Sequence, residues 1–206
     1  MSDNIDILAL EMCTKLQAVK ELQSQINEVT WNVRKEGTLK IWGEKAHGSY
    51  LLHMEESSLW ETFSNRMHVA ILVMSAVTGV ISISDTSFSG LRYLFSVLTL
   101  SMGGLTSLVK YYKPDEKAVV HKNISQKYNK MYRNVLVELN QPRRERTHAD
   151  EFTLKIKKAN EDIQNEAPLV SSRSVKHFLA HVQLDTSSFP DAVSQNTQPI
   201  PVLVDV

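Results

Sequence analysis

Two histidines four residues apart are the clearest candidates for chemistry in this sequence. His177 and His181, in KHFLAHV, would share one face of a helix and could bind a metal ion together. A stable site needs further ligands, and two histidines alone do not make one. The pair is therefore predicted to lie on a surface or at an interface, and we expect no metal site.

Patterns typical of enzymes do not occur elsewhere in the sequence. There is no glycine-rich phosphate loop and no serine-nucleophile, zincin or deaminase motif. Cys13 is the single cysteine, which excludes an intramolecular disulfide and a multi-cysteine zinc site. Acids and bases balance at 23 each, so no overall charge favours nucleic acid as a partner. We expect no catalytic residue and no cofactor, and a function that depends on where the protein lies.

Two apolar segments in the middle of the chain predict that location. Residues 67–84 and 91–109 contain one lysine, arginine or acid between them, Arg92, and DTSFSG joins them in a stretch rich in turn formers. At about 1.5 Å per residue, each segment would form a helix of roughly 27 to 29 Å, close to the thickness of a hydrocarbon core. The pattern predicts a transmembrane hairpin, and a buried hairpin inside a soluble core is the alternative.

Aromatic and basic residues stand near the ends of both segments, as membrane interfaces favour. The predicted interfacial anchors are Trp60, Arg66, Arg92, Lys110, Tyr111 and Tyr112. Basic residues lie mainly outside the connecting loop, at Arg66 before the hairpin and at Lys110, Lys113 and Lys117 after it. Both long arms are therefore predicted to lie on the cytosolic side of a membrane.

Small residues recur at helical spacing on one face of each apolar segment. This predicted membrane packing face comprises Ser75, Thr78, Gly79, Ser82, Ser96, Thr99, Gly103 and Ser107. Small side chains let helix backbones approach closely, so the face favours packing between the two helices or between protomers. The alternative is that the hydroxyl groups line a water-filled path in an oligomer.

The N-terminal region has a heptad-like pattern. Apolar residues recur at steps of three and four over 5–33, with Lys15 at the one polar position of the seam. The pattern predicts a long amphipathic helix. Its seam is expected to pack on another helix of the same chain, which is slightly favoured, or to form a coiled coil or oligomerisation arm.

Further soluble helices are predicted on both sides of the hairpin. Before it, glycines are expected to break the chain ahead of a short helix over 50–63, at Gly37, Gly43 and Gly48. After it, one amphipathic helix should follow Pro114 and another should span 147–166. The predicted apolar face of the first comprises Val120, Ile124, Tyr128, Met131, Val135 and Leu139, and that of the second comprises Phe152, Ile156, Ala159 and Ile163. Between these helices, RRER at 143–146 is predicted as a solvated corner, with binding to lipid head groups or phosphate as the alternative.

The last segment of the sequence changes character. LDTSSFPDAVSQNTQPIPVLVDV contains three prolines, no basic residue and an apolar end. Alone it is predicted to be disordered or extended, and an extended strand on a neighbouring protein is its predicted role. The predicted docking residues are Phe189, Pro190, Ile200, Pro201, Val202 and Leu203.

These patterns divide the chain into five regions. They are a heptad-like helix over 1–36, a juxtamembrane segment over 37–65, the hairpin over 66–110, a helical cytosol-side region over 111–168, and a short helix with the docking tail over 169–206. The predicted fold class is mostly α, with a two-helix transmembrane hairpin, long amphipathic cytosol-side helices and an extended C-terminal tail.

The order of these features resembles the SLATT-like two-transmembrane family. The resemblance covers residues 50–168 and rests on the hairpin, on the spacing of His121 and Tyr128, on Arg146, and on Ala167 with Pro168. It implies one of two functions, because bacterial members of the family act as pore-forming effectors of conflict systems, and related proteins occur in large DNA viruses with an internal membrane. No nucleotide-sensing or enzymatic domain accompanies the hairpin in this sequence, which favours the viral, structural branch.

The expected function is therefore that of a non-enzymatic minor capsid protein that links an internal virion membrane to the capsid shell. Its expected partners are the lipid bilayer, other capsid proteins and further copies of the chain. A pore-forming membrane effector and a soluble helical adaptor are the alternatives.

Overall fold

The computed structural model describes residues 2–83 and 89–181, and within these ranges every regular element is helical. The predicted mostly α fold with two long apolar helices is confirmed. The elements are α1 (Ser2–Thr30), α2 (Val33–Ile83), α3 (Ser89–Tyr112), α4 (Pro114–Asn140), a 3₁₀ turn (Arg143–Glu145), α5 (Ala149–Glu166) and α6 (Ser172–His181).

The predicted break at the three glycines is wrong, because α2 is a single helix of 51 residues that runs through all of them. Gly43 marks a close approach: a Cβ atom there would lie 3.1 Å from Cγ1 of Val135. Leu39 and Ala46, one turn to either side, are buried. Packing of this helix face offsets the cost of a glycine inside a helix, about 1 kcal/mol relative to alanine.

The real interruption lies earlier, between α1 and α2. Trp31 is buried there, and its indole Nε1 donates a hydrogen bond to the carbonyl of Thr147 at 2.9 Å. The side chain of Asn32 accepts a hydrogen bond from the backbone N–H of Lys35 at 2.8 Å, which is the geometry of a helix N-cap. Asn32 thus begins a new helix after the chain has turned.

The described residues form two compact units, and α2 and α4 contribute to both. The first unit comprises 2–50 and 126–167, together with residue 181. Its core is apolar and confirms most of the predicted faces of α4 and α5, at Tyr128, Met131, Val135, Phe152, Ile156 and Ile163. The prediction is wrong at Val120, which is 45% exposed. Trp31 joins this core, with its ring centroid 6.2 Å from that of Phe152.

The seam of α1 does not pack as the favoured alternative predicts. Between Met12 and Val29 its apolar side chains are each 44% exposed or more. Within the described residues, the C-terminal end of α1 is fixed by the buried Asn27 and by Trp31, which directly follows the helix. Asn27 lies on a different face of α1 from the seam, because the helix turns by about 100° per residue.

The second unit comprises 51–83, 89–125 and 168–180 and contains both apolar segments. Its α3 ends at Tyr112, and Lys113 adopts a left-handed backbone conformation with φ of 46°. Pro114 then begins α4, a position where its fixed φ and missing N–H cost nothing. This tight turn brings the start of α4 back beside α2, where Ser64 donates a hydrogen bond to Asp115.

Candidate membrane anchor and the polar cluster at its base

The two apolar segments are long enough and apolar enough to cross a membrane. The qualifying windows of 18 residues lie within Val33–Ser82 and Arg92–Asn140, and only 11% of the first and 0% of the second are buried. Large apolar side chains are exposed along both helices, at Val69, Leu72, Val73, Val77, Val80, Val97, Leu100 and Leu108. The described part of the chain does not cover this surface.

The predicted packing face lies at exposed positions of the hairpin. Seven of its eight residues are exposed and Thr78 is half-buried. A Cβ atom built at Gly79 or Gly103 would meet nothing within 4 Å. The two helices therefore do not pack on each other at these glycines, and packing between protomers remains a prediction, as does a hydroxyl-lined path.

Hydroxyl groups on this face are satisfied by their own helix. Thr78, Ser96 and Thr99 each donate to the carbonyl four residues earlier, at 2.6, 3.0 and 2.8 Å. Ser107 donates in the same way to the carbonyl of Gly103 at 2.9 Å. These hydroxyls can face hydrocarbon without an unmet hydrogen bond, so their presence is compatible with a lipid environment.

Two of the predicted interfacial anchors, Trp60 and Tyr112, make cation–π contacts with the same lysine. The ammonium of Lys117 lies 4.4 Å from the ring centroid of Trp60 and 5.6 Å from that of Tyr112. The indole Nε1 of Trp60 also donates to Glu56 at 2.9 Å. The cluster joins α2, α3 and α4 where the apolar segments end, which is the position that amphipathic rings favour at a membrane interface.

The other four predicted anchors are exposed. Arg66, Arg92 and Lys110 extend from the ends of the apolar helices. Tyr111 is exposed and packs edge-on against Tyr112, with ring centroids 5.2 Å apart. All four side chains are therefore free to reach a polar head-group layer.

A buried carboxylate lies next to the aromatic cluster. Glu56 is 3% exposed, and its Oε2 accepts hydrogen bonds from the hydroxyl groups of Ser171 and Ser174 and from the backbone N–H of Ser171. Burial alone would raise the pKa of Glu56, but these hydrogen bonds outweigh it and hold the pKa below its ordinary value. Glu56 thus binds the N-terminus of α6 as an ionised side chain, where the helix dipole also favours an anion.

Two buried imidazoles lie one turn away from Glu56. Nδ1 of His53 on α2 is 3.0 Å from Nδ1 of His121 on α4, so one ring donates and the other accepts. Burial and, after it, the interaction with His121 lower the pKa of His53 to about 4, against an opposing contribution from Glu56. The pKa of His121 is also lowered, first by burial and then by Lys117, again against Glu56. The hydrogen bond requires that the accepting ring is neutral, and the lowered pKa values favour the neutral form of both rings at pH 7.

The basic turn is a structural ion-pair network, so the predicted solvated corner is wrong. Arg143 binds Glu36 through two hydrogen bonds of 2.8 Å, and Arg146 binds the same carboxylate at 2.5 Å. Arg144 pairs with Glu28 at 3.0 Å. Hydrogen bonds from Arg143 and Arg146 outweigh burial and hold the pKa of Glu36 below its ordinary value. The arginines are engaged within the protein, which also disfavours the alternative of a free phosphate site.

The histidines with metal-ligand spacing are not brought to further ligands. His177 lies 3.3 Å from Glu55, and the side chain of His181 is outside the described residues. Among the side chains that the structure describes, no group of three or more metal-ligating residues occurs. The predicted docking tail, with Phe189, Pro190, Ile200, Pro201, Val202 and Leu203, also lies outside the described residues.

These geometries can be compared with known proteins. No family model, curated protein or solved structure matches the chain. The resemblance to the SLATT-like family therefore stays a prediction, and the hairpin and its polar base carry the functional interpretation.

Sequence reasoning missed the polar cluster around Glu56. A signal for half of it is present, because serines at 171, 172 and 174 are typical of a helix N-terminus and α6 begins there. The acceptor gave no signal, since Glu56 lies among polar residues of α2 and 115 residues away from Ser171. His121 was singled out by its spacing from Tyr128, but its partner His53 was not.

Proposed function

We propose that this protein is a non-enzymatic, membrane-anchored structural protein whose anchor is the hairpin of 67–84 and 91–109. The observation that supports the proposal is the exposed apolar surface on both helices: within the described residues, 11% of the first apolar window and 0% of the second are buried. Soluble proteins rarely expose contiguous apolar patches of this extent, whereas hydrocarbon is its natural solvent. The same exposure disfavours a soluble adaptor that uses the hairpin as its core.

The charge distribution supports a topology with both arms on the cytosolic side. Arg66 precedes the hairpin, and Lys110, Lys113 and Lys117 follow it, while the loop between the helices has a single acid, Asp85. The cluster of Trp60, Tyr112 and Lys117 would lie at the head-group level, next to the polar base. In this topology the ion-pair network, the buried histidines and the C-terminal tail all lie on one side of the membrane.

The finer form of the proposal is a minor capsid protein that links an internal virion membrane to the capsid shell. It rests on the resemblance to the viral branch of the SLATT-like family and on the combination of a short anchor with large extramembrane arms. Residues 190–206 would bind a neighbouring capsid protein as an extended segment. The absence of catalytic motifs in the sequence supports a structural rather than an enzymatic role.

Alkaline carbonate extraction of membranes from cells that express the full chain tests the anchor. We expect the full chain to stay in the membrane pellet and a deletion of Met67–Val109 to move to the supernatant. A Leu72→Arg/Leu100→Arg double variant preserves chain length and should also be extracted, because a central arginine disfavours insertion by about 3 kcal/mol. Extraction of the full chain itself would exclude the membrane anchor.

Purification of virus particles tests the capsid assignment. A fixed copy number in purified particles, retained when external membranes are stripped by mild detergent, is the expected result. Absence of the protein from particles would remove the capsid assignment and leave the membrane anchor intact.

A homo-oligomeric pore is the second candidate, and the exposed hydroxyl-bearing face of the hairpin is the observation in its favour. Reconstituted protein would then conduct ions, and Thr99→Val or Ser75→Val would change the conductance at unchanged oligomeric state. A hydroxyl group that donates to its own backbone, as that of Thr99 does, instead favours the anchor. If the hairpin is only an anchor, neither valine variant should change the ion conductance.

A further inference from the structure

The exposed seam of α1 is an interaction surface that the rest of the described chain leaves uncovered. Its apolar residues follow a heptad pattern, at Met12, Val19, Leu22, Ile26 and Val29, and all five are exposed. Lys15 stands at the heptad position between Met12 and Val19. Leu16 flanks the seam and is also exposed. At about 1.5 Å per residue, residues 12–29 form a stripe roughly 26 Å long. A stripe of this length on a single helix requires a partner helix or an apolar surface.

We propose that α1 pairs with α1 of a second copy of this chain as a parallel two-stranded coiled coil. Met12, Val19 and Ile26 would occupy the a positions, and Leu22 and Val29 the d positions. The central part of the seam, with the β-branched Val19 and Ile26 at a and Leu22 at d, has the pattern that favours two parallel strands over three or four. Lys15 would occupy the remaining d position, where its long stem can reach solvent from a two-stranded seam.

The flanks of the seam permit self-pairing. The e and g positions between the central heptads are Leu16, Ala18, Gln23 and Gln25, and none of them is charged. The flanking positions therefore bring no like charges together, and no charge pattern there selects a different partner. Lys15 is the one charged residue within the seam, and it faces its counterpart in the second copy.

The polar face of α1 argues against a lipid surface as the occupant. Helices that lie on membranes carry lysine and arginine on their polar face. Residues 2–30 instead contain five acids, Asp3, Asp6, Glu11, Glu21 and Glu28, against two lysines. Anionic head groups would repel this helix, whereas a second copy meets it along a seam that contains no acid.

The parallel orientation rests on the proposed function. Two chains anchored by the same hairpin in one bilayer present α1 in the same direction and at the same height. Confinement to a membrane also raises the effective concentration of one helix for the other. In-register pairing of identical residues is therefore the geometry that the anchor favours.

Disulfide formation at single cysteines in the full chain tests the pairing. In a Cys13→Ser background, we expect Val19→Cys and Ile26→Cys to give covalent dimers under mild oxidation. Gln17→Cys and Glu21→Cys, on the outer face, serve as matched controls and should stay monomeric. A disulfide requires Cα atoms within about 7 Å, which facing a positions satisfy and outer positions do not. Equal crosslinking at all four sites, or none, would overturn the proposal.

The molar mass of the purified protein in detergent gives the number of strands in the coiled coil. Light scattering should give two chains for the wild type and one for Leu22→Glu, with Gln17→Glu still dimeric as the control. Lys15→Leu should lower the dissociation constant, since it removes the one polar seam residue. Three or more chains, or a dimer that survives Leu22→Glu, would contradict the two-stranded seam.

The outcomes separate this inference from the proposed function. Retention in the carbonate pellet with no preference for the seam cysteines would remove the pairing and leave the anchor. Seam-specific disulfides in a protein that carbonate extracts would leave the pairing and remove the anchor.

Discussion

Replacing Arg146 with alanine is expected to lower the free energy of unfolding by about 2 to 3 kcal/mol, near the lower limit for breaking a buried ion pair. The Arg146 side chain is 9% exposed and binds Glu36, the carbonyl of Gln141 and the carbonyl of Leu139. Its guanidinium also lies 4.9 Å from the ring centroid of the buried Trp31. The alanine variant loses the charge, the hydrogen bonds to both carbonyls and the packing against Trp31 at once.

Thermal unfolding of the full chain in detergent, followed by circular dichroism, measures this effect. Arg144→Ala is the matched control, because its 66% exposed side chain pairs with an exposed carboxylate and should contribute less than about 1 kcal/mol. Arg146→Lys should lie between the two, since lysine retains the charge but not the planar fork. Equal losses for Arg144→Ala and Arg146→Ala would contradict the structural role of the network.

Acidification from pH 7 to pH 4.5 is expected to destabilise the protein through the pair of His53 and His121. The pKa of His53 falls from an ordinary 6.5 to about 4 in the folded protein, so the unfolded chain binds protons more readily in this range. Stability is therefore full above about pH 6.5, decreases as the pH falls, and levels off below about 4. At about 1.4 kcal/mol per pKa unit, the complete loss from His53 is about 3 kcal/mol.

Thermal unfolding of the full chain at a series of pH values tests this prediction. His53→Gln should flatten the stability profile between pH 6.5 and 4.5. Glu56→Gln is the informative control. Because the pKa of Glu56 is lowered from 4.5, its contribution to stability is present above pH 4.5 and is lost below it. The stability of this variant should therefore still decrease between pH 6.5 and 4.5, as the histidines predict. A flat wild-type profile between pH 6.5 and 4.5 would show that the histidines do not pair as neutral rings.

Local patterns predicted much of the fold. The apolar periodicity of α4 and α5 identified the side chains that form the first core, including Met131, Val135 and Ile156. Pro114 marked the start of α4, and the continuous apolar segments marked the two helices of the hairpin. Each of these signals is contained in a stretch of fewer than thirty residues, where the period of a helix and the fixed φ of proline act directly.

Other features depend on partners that are distant in sequence. Gly43 was predicted to break a helix because nothing local shows that Val135 approaches it closely. RRER was predicted to be solvated because its acidic partner, Glu36, lies 110 residues before Arg146. The heptad-like pattern of α1 correctly predicted a helix. It did not show whether a second helix of the same chain would cover the seam.

The sequence by itself determined the helical class, the amphipathic faces of α4 and α5, and two segments apolar enough to cross a membrane, because these depend on short-range period and hydrophobicity. Only the tertiary structure decided which charges are neutralised and which polar groups are buried. Glu56 binds Ser174 across 118 residues and His53 meets His121 across 68. No local pattern encodes such pairs, since burial makes a polar side chain depend on whichever hydrogen-bonding partner the fold brings to it.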